Sequence, residues 1–101
     1  MKAEEIEQKL NEWRKQRNLS DPKSQGLKVI EEVGELAAAI NKEDPEKLVD
    51  SIGDTLVTVI LLAQMKHLNA FRCLESAWNV IKDRKGKTVD GSFVKEADLK
   101  G

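Results

Sequence analysis

Two acidic clusters lie inside segments whose apolar spacing otherwise predicts buried helices. The first cluster is EEVGE at residues 31–35 and the second is DSIGD at residues 50–54. At helical spacing, carboxylates three or four residues apart project from one side of a helix. If the two helices pack antiparallel, four carboxylates converge. A protein interior tolerates such a group only with a positive partner, either basic side chains or a metal ion.

The helical periodicity separates the three glutamates of the first cluster. At about 100° per residue, one apolar stripe is formed by Val29, Ile30, Val33, Leu36, Ala37 and Ile40. Glu31 lies opposite this stripe and is predicted to be solvated, whereas Glu32 and Glu35 are predicted to be half-covered. The two aspartates of the second cluster begin a face that continues into an apolar run at 56–63. A helix that is apolar on nearly all sides is typically buried.

Apolar periodicity and capping signals predict an all-α chain. The predicted helices cover about residues 3–18, 24–41, 45–66 and 69–82. Asp44 and Pro45 mark the start of the third helix as its N-cap and first helical position. Short connections between helices are typical of an antiparallel four-helix bundle. The predicted organisation is therefore a helical domain over residues 1–84 and a short irregular tail over 85–101, formed by a loop, a short hairpin or an arm.

The hydropathy of the third helix predicts an oligomer. The chain has 101 residues, which is enough for one domain with a single core. A lone bundle leaves one side of each helix in water, so a helix that is apolar on all sides needs cover from another chain. A homodimer or homotetramer that completes the bundle is expected.

Composition argues against several classes of partner. The net charge is −1 and no basic face is visible, which argues against nucleic acid binding. The apolar run at residues 57–63 is too short to span a bilayer, so no membrane partner is expected. The single cysteine cannot form an internal disulfide, and no signal-peptide pattern appears at the N-terminus. A cytoplasmic protein is expected.

Four short segments form an ordered pattern along most of the chain. They are Lys28-x-x-Glu31-Glu32-Val33-Gly34-Glu35-Leu36, Asp50-x-Ile52-Gly53-Asp54, Trp78-Asn79-x-x-Lys82-Asp83-Arg84-Lys85-Gly86 and Asp90-Gly91-x-Phe93-x-Lys95. The pattern resembles the all-α nucleotide pyrophosphohydrolases of the MazG type, in particular their short phage-like members. The resemblance implies Mg²⁺-dependent hydrolysis of a nucleoside triphosphate to nucleoside monophosphate and pyrophosphate, which removes unwanted or surplus nucleotides.

The resemblance also implies a set of metal ligands. Glu32, Glu35 and Asp54 are expected to bind Mg²⁺, with Mn²⁺ as the alternative, and oxygen ligands suit both ions. The family pattern places a further acidic ligand at position 51, where this chain has serine. Asp50, one residue earlier, is expected to replace it.

Catalysis and substrate binding are assigned to further residues by the same resemblance. The candidates that accept a proton from the attacking water are Glu31, Glu32 and Glu35, and the sequence does not choose among them. The expected substrate contacts are Lys28, Asn79, Lys82 and Arg84. Arginine suits a bidentate grip on phosphate, whereas lysine acts as a point charge. For Lys28, an ion pair with Glu31 or Glu32 is as compatible with the sequence as a contact to substrate.

A non-enzymatic interpretation remains open beside this one. In it, the chain is an oligomeric helical adaptor whose carboxylates form interchain salt bridges with Lys82, Arg84 and Lys85. An enzyme should gain thermal stability from Mg²⁺ plus nucleotide, whereas an adaptor should ignore both.

Two pairs of residues carry expectations about packing. Glycine destabilises a helix, so Gly34 and Gly53 are expected to allow close approach of the two helices beside the ligands. Trp13 and Trp78 are expected to anchor the core rather than to stack on a base.

Overall fold

The structure is a computed structural model that describes residues 1–99, and within them it is mostly helical. Residues 100 and 101 of the predicted tail lie outside the described residues. The elements are α1 (Ala3–Gln16), α2 (Pro22–Asn41), α3 (Pro45–Met65), α4 (Ala70–Ile81), β1 (Gly86–Val89), β2 (Ser92–Lys95) and a 3₁₀ turn at Glu96–Asp98. The prediction of a helical chain is confirmed, with the addition of a small two-stranded sheet.

Aspartate–proline pairs start the two central helices. The Asp44 carboxylate accepts hydrogen bonds from the next two backbone N–H groups at 3.1 and 3.2 Å, and Pro45 occupies the first helical position. This start is confirmed as predicted. The same chemistry at Asp21 and Pro22 starts α2 two residues earlier than expected, with Asp21 accepting from the N–H of Lys23 at 3.1 Å.

Helix α3 packs against both α1 and α2. Two contacts show that α2 and α3 run antiparallel. The Gln25 side chain donates to the Thr58 carbonyl oxygen at 3.1 Å, and the Thr55 hydroxyl lies 3.5 Å from the Glu32 carbonyl oxygen. On the other side of α3, the Gln64 amide donates to a carbonyl oxygen of α1 at 2.9 Å. The antiparallel α2–α3 pair is the frame on which both acidic clusters lie.

The buried core of the single chain is small. Among residues 1–99, the buried apolar side chains are Ala39, Ile60 and Leu61. The predicted apolar stripe of α2 is only partly covered: Val29 and Leu36 are half-buried, whereas Ile30 is 68% exposed and Ile40 is 58% exposed. The side of α2 that meets α3 carries Gln25, Glu32 and Ala39, which are spaced seven residues apart.

Internal contacts divide the chain into two compact units. The first is Met1–Phe71, which contains α1, α2 and α3, and the second begins at Arg72. In the second unit, the apolar side chains of α4 are exposed, among them Leu74 (65%), Trp78 (57%) and Ile81 (47%). The complete four-helix bundle, its completion by another chain and the boundary near residue 84 stay predictions.

The segment after α4 forms a regular hairpin rather than the irregular tail expected from the fold class. β1 and β2 pair antiparallel, with Val89 opposite Ser92. Asp90 and Gly91 form the two-residue turn between them, and both have positive φ, 50° and 80°. An Asp-Gly pair with this geometry is typical of hairpin turns. Of the three forms left open by the sequence, the structure shows the hairpin.

Among the described residues, α3 is long and apolar enough to cross a membrane by length and composition. It has 21 residues with a mean hydropathy of 1.5 over an 18-residue window, and 22% of that window is buried. The apolar run at 57–63 alone underestimates this length. The helix carries Asp50 and Asp54, which are costly in hydrocarbon. The core helix of an assembly has the same length and composition, so the feature is weak evidence for a membrane.

Candidate functional site

The two acidic clusters meet between α2 and α3. Glu35, Asp50 and Asp54 line one cavity of about 310 Å³, together with Ser51. Glu32 lies nearly one helical turn before Glu35, at the level of Thr55 in α3. Antiparallel packing therefore brings the carboxylates of both helices to one region, as the spacing of the clusters predicts.

Glu32 has the least favourable surroundings of these carboxylates. The residue is half-buried, as predicted, and its Oε2 atom is shielded from solvent without a hydrogen-bond partner among residues 1–99. Burial raises the pKa of Glu32 above its ordinary value, and the nearby charges of Glu35 and Asp54 raise it further. The charge of Glu31 acts in the same direction. A cation at this position would relieve both the burial and the repulsion.

The carboxylates share a region without meeting at one point. In the described part of the chain, no three Asp, Glu, His or Cys side chains form a group that could hold a metal ion as they stand. Glu35 is exposed, so its expected half-covered position is wrong. The unbonded Oε2 of Glu32 and the purely carboxylate character of the cluster fit a hard divalent cation. Convergence of three oxygens would require rotation of the side chains.

Glu31 and Lys28 lie on the solvent side of α2. The Lys28 ammonium is 3.4 Å from the Glu31 carboxylate, and the two side chains are 64% and 57% exposed. Glu31 is therefore solvated as predicted, and Lys28 pairs with it rather than with Glu32. An exposed pair of this kind contributes little to stability.

Two lysines missed by the sequence analysis line the same cavity as the carboxylates. Lys42 caps the C-terminus of α2, and Lys47 lies in the first turn of α3. Within residues 1–99 neither lysine forms an ion pair. A signal was present in the sequence, because both lysines flank the short α2–α3 connection. Antiparallel packing necessarily places that connection near Glu35 and Asp50.

The remaining predicted substrate residues belong to the second unit. Asn79 lies in the last turn of α4, and Lys82 follows its end. The backbone N–H of Lys82 donates to Trp78 at 2.9 Å and that of Arg84 to Ile81 at 2.9 Å. All three predicted side chains are exposed. Their position beside the carboxylates stays a prediction.

Two expectations about packing are wrong for the single chain. A Cβ atom built on Gly34 or Gly53 would meet no atom of the described residues within 4 Å, so no close helix contact within residues 1–99 explains these glycines. Trp13 is 42% exposed, with the Arg17 guanidinium 4.3 Å from its ring, and Trp78 is 57% exposed. Neither tryptophan is a buried anchor.

The fold and the site define a class of mostly helical proteins that gather carboxylates between two antiparallel helices. The chain belongs to the MazG nucleotide pyrophosphohydrolase domain family, whose sequence model matches residues 20–87. The match contains α2, α3 and α4, with all the predicted site residues. The resemblance is confirmed, and three of its four segments lie within the matched residues, whereas the segment from Asp90 to Lys95 lies beyond them.

A phage protein is among the relatives of the chain. An uncharacterized 18.2 kDa protein in the rep-hol intergenic region of Haemophilus phage HP1 (strain HP1c1) is 38% identical to the chain over 64 residues. These residues are 60% of this chain and 39% of that protein, so the chain spans well under half of the relative's length. The phage origin of this relative agrees with the phage-like type of the resemblance. No solved structure matches the chain.

Proposed function

We propose that the chain hydrolyses nucleoside triphosphates to nucleoside monophosphate and pyrophosphate with the help of Mg²⁺ or Mn²⁺. The observation that carries the proposal is the shielded, unbonded Oε2 atom of Glu32 beside Glu35 and Asp54. In a member of this family, such a carboxylate is best explained as a metal ligand. The proposed setting is the cytoplasm, where the activity would remove surplus nucleotides.

The proposed metal ligands are Glu32, Glu35, Asp50 and Asp54. Support for Asp50 comes from its position, because it lines the same cavity as Glu35 and Asp54. A divalent cation held there would supply charge neutralisation and Lewis acidity toward phosphate oxygens. The protein supplies the arrangement of oxygens and holds them away from bulk water at Glu32.

The candidates for the general base differ in their surroundings. Glu31 points to solvent and pairs with Lys28, whereas Glu35 lines the cavity. A base must lie within hydrogen-bond reach of the water that it activates. We therefore favour Glu32 and Glu35 over Glu31 for this role. Lys28, Asn79, Lys82 and Arg84 remain the proposed contacts to phosphate and sugar.

The proposal includes an assembly in which a second copy of the chain covers the outer faces of α2 and α3. The residues of these faces are Ile30, Val33, Ala37 and Ile40 on α2 and Val49, Ile52, Leu56 and Val59 on α3. Each large side chain among them is at least 40% exposed. Both sets follow the spacing of three and four residues that is typical of helix seams.

Two helix pairs with matching apolar faces can complete a four-helix bundle. The proposed state is a homodimer or homotetramer. Gly34 and Gly53 directly follow Val33 and Ile52 in the sequence. Both glycines therefore lie at the edge of these faces, where a second copy would explain why no side chain is present.

The proposed reaction is tested by the products released from a panel of nucleoside triphosphates. Purified protein should release monophosphate and pyrophosphate in equal amounts when Mg²⁺ is present and neither product when it is chelated. Release of orthophosphate and diphosphate would contradict the proposed bond cleavage. An adaptor would hydrolyse none of the panel, and its melting temperature would not respond to Mg²⁺ plus nucleotide.

A further inference from the structure

The cavity between α2 and α3 carries positive charges that the proposed metal site does not use. Lys42 and Lys47 line it together with Glu35, Asp50 and Asp54. In the described residues neither lysine pairs with any carboxylate, although three carboxylates line the same cavity. Two unpaired ammonium groups beside an acidic cluster require an explanation.

The two lysines lie at the end of the cavity near the α2–α3 connection. Lys42 is the C-cap of α2, seven residues after Glu35. At a rise of 1.5 Å per residue, this separation is about 10 Å along the helix axis. Lys47 lies at the same end, because it is in the first turn of α3 after a short connection. On α3, Asp50 follows Lys47 by three residues and Asp54 follows it by seven, so the carboxylates of this helix begin about one turn beyond Lys47.

We propose that Lys42 and Lys47 bind the phosphate groups of a nucleotide that extend beyond the metal ligands, including the pyrophosphate that leaves. The inference rests on the proposed function and names further substrate-binding residues for it. In a metal-bound triphosphate, the cation would hold some phosphate oxygens near the carboxylates. Other anionic oxygens, farther along the triphosphate, would remain free. Lysine offers three donors on a mobile stem, which suits a group that must be bound and then released.

The side chains, rather than the helix terminus, are the anion donors in this arrangement. The N-terminus of α3 lies at the same end of the cavity, but its N–H groups at Glu46 and Lys47 already donate to the Asp44 carboxylate at 3.1 and 3.2 Å. That carboxylate also opposes an anion placed on the helix axis. Among residues 1–99, the ammonium groups of Lys42 and Lys47 have no such partner.

The test measures binding of inorganic tripolyphosphate to the full chain by calorimetry with Mg²⁺ present. Lys42→Met and Lys47→Met remove the charge and keep most of the side-chain length. Each should weaken binding by about fivefold or more, as expected for a charge-assisted hydrogen bond in a partly exposed site. The double variant should bind more weakly than either single variant. Lys42→Arg and Lys47→Arg should restore most of the affinity.

A matched control separates a local contact from the change in total charge. Lys23 is an exposed lysine at the start of α2 that does not line the cavity. Lys23→Met should change tripolyphosphate affinity by less than about twofold, because exposed charges at a distance are screened. Affinity for Mg²⁺ alone should not fall in Lys42→Met or Lys47→Met, since the carboxylates are intact. A purely structural role would instead lower the melting temperature without ligand.

The outcomes distinguish this inference from the proposed function. If parent and lysine variants bind tripolyphosphate equally, or the parent does not bind it, the lysine assignment is overturned, whatever the parent does to nucleotides. If lysine-dependent binding is seen but no nucleoside triphosphate is hydrolysed, the proposed function fails and the anion site stands. In an active enzyme, the lysine variants should raise KM by about the factor measured in the binding experiment.

Discussion

At the scale of single residues, Glu32 shows how the fold holds a carboxylate in an unfavourable place. Its pKa is raised by burial and by the charges of Glu35 and Asp54, so the folded chain binds a proton at Glu32 more tightly than the unfolded chain. By linkage, this group favours folding at low pH, and the contribution is lost as pH rises through the raised pKa. At neutral pH the Glu32 charge therefore opposes folding, as is common at functional sites.

Replacing Glu32 should show directly that its charge opposes folding. In the presence of a metal chelator, Glu32→Gln should melt at a higher temperature than the parent near neutral pH. The difference should shrink as pH falls below about 4, where the parent glutamate becomes protonated in both states. Thermal unfolding followed by circular dichroism over this pH range measures the effect. Glu31→Gln, at an exposed position of the same helix, should change the melting temperature little, and a destabilised Glu32→Gln near neutral pH would contradict the account.

The fourth metal ligand can be tested by comparing two neighbours. Asp50→Asn should weaken Mg²⁺ binding by about tenfold or more, since changes even to the partners of metal ligands have effects of this size. Ser51→Ala should have the smaller effect, because a hydroxyl brings no charge to a hard cation. Titration calorimetry with Mg²⁺ alone gives both affinities. The opposite order would assign the ligand to position 51.

The carboxylates could be predicted from the sequence because acidic residues at helical spacing are unusual inside apolar segments. The lysines of the cavity could not be recognised in this way. Lys42 and Lys47 look like ordinary solvated charges beside a helix connection, and only the pairing of α2 with α3 places them beside Glu35. Their position beside the α2–α3 connection becomes a signal only when antiparallel packing of the two helices is taken into account.

At the scale of elements, local chemistry determined the starts of helices but not their partners. Asp44 and Pro45 predict the start of α3, and Asp90 and Gly91 explain the hairpin turn. The apolar stripe of α2 predicts a buried face, yet the face that meets α3 contains Glu32, and Ile30, Val33 and Ile40 of the stripe stay exposed. Periodicity identifies an apolar face without telling whether the same chain or another one covers it.

The hairpin depends on a glycine at its first position. A Cβ on Gly86 would collide with the Val94 carbonyl oxygen, and it would lie 2.6 Å from the Phe93 ring and 2.9 Å from the Lys95 Cα atom. Because two of these neighbours are backbone atoms of the paired strand, Gly86→Ala should separate the strands by loss of β1–β2 pairing. Amide hydrogen exchange measured by NMR should rise about tenfold or more across β1 and β2.

A control for this change is available in the first unit. Gly34→Ala places its Cβ in a position where nothing in the chain lies within 4 Å, so the exchange rates of the hairpin should stay at parent values. Protection of β1 and β2 that survives Gly86→Ala would show that the strands tolerate the added methyl group.

At the scale of the whole molecule, the single chain buries only a small core and leaves large apolar side chains exposed. The buried apolar residues described are Ala39, Ile60 and Leu61, and a chain of this length with so few is marginally stable at best. The exposed faces of α2 and α3 have matching spacing. A second copy would enlarge the core, which is the physical reason for the proposed assembly.

An acidic substitution on the outer face of α3 should separate the copies. Leu56 is 57% exposed, so in an isolated chain Leu56→Asp should alter stability by only about 0.5 kcal/mol. In an assembly it buries a charge and should reduce the mass measured by sedimentation to that of one chain. Val89→Asp, an exposed apolar position in the hairpin, should leave the mass unchanged. A parent that sediments as a single chain would contradict the assembly.

The central claim is that the carboxylates between α2 and α3 hold the cation for cleavage of a nucleoside triphosphate. The most direct measurement is the rate of pyrophosphate release by Glu35→Gln beside the parent, in the same Mg²⁺ buffer and with the melting temperature of both recorded. Glu35 is exposed and lines the cavity, so the variant should stay folded while its rate falls by about a hundredfold or more, because several kcal/mol of charge stabilisation depend on the cation. A folded Glu35→Gln that releases pyrophosphate at nearly the parent rate would contradict the claim.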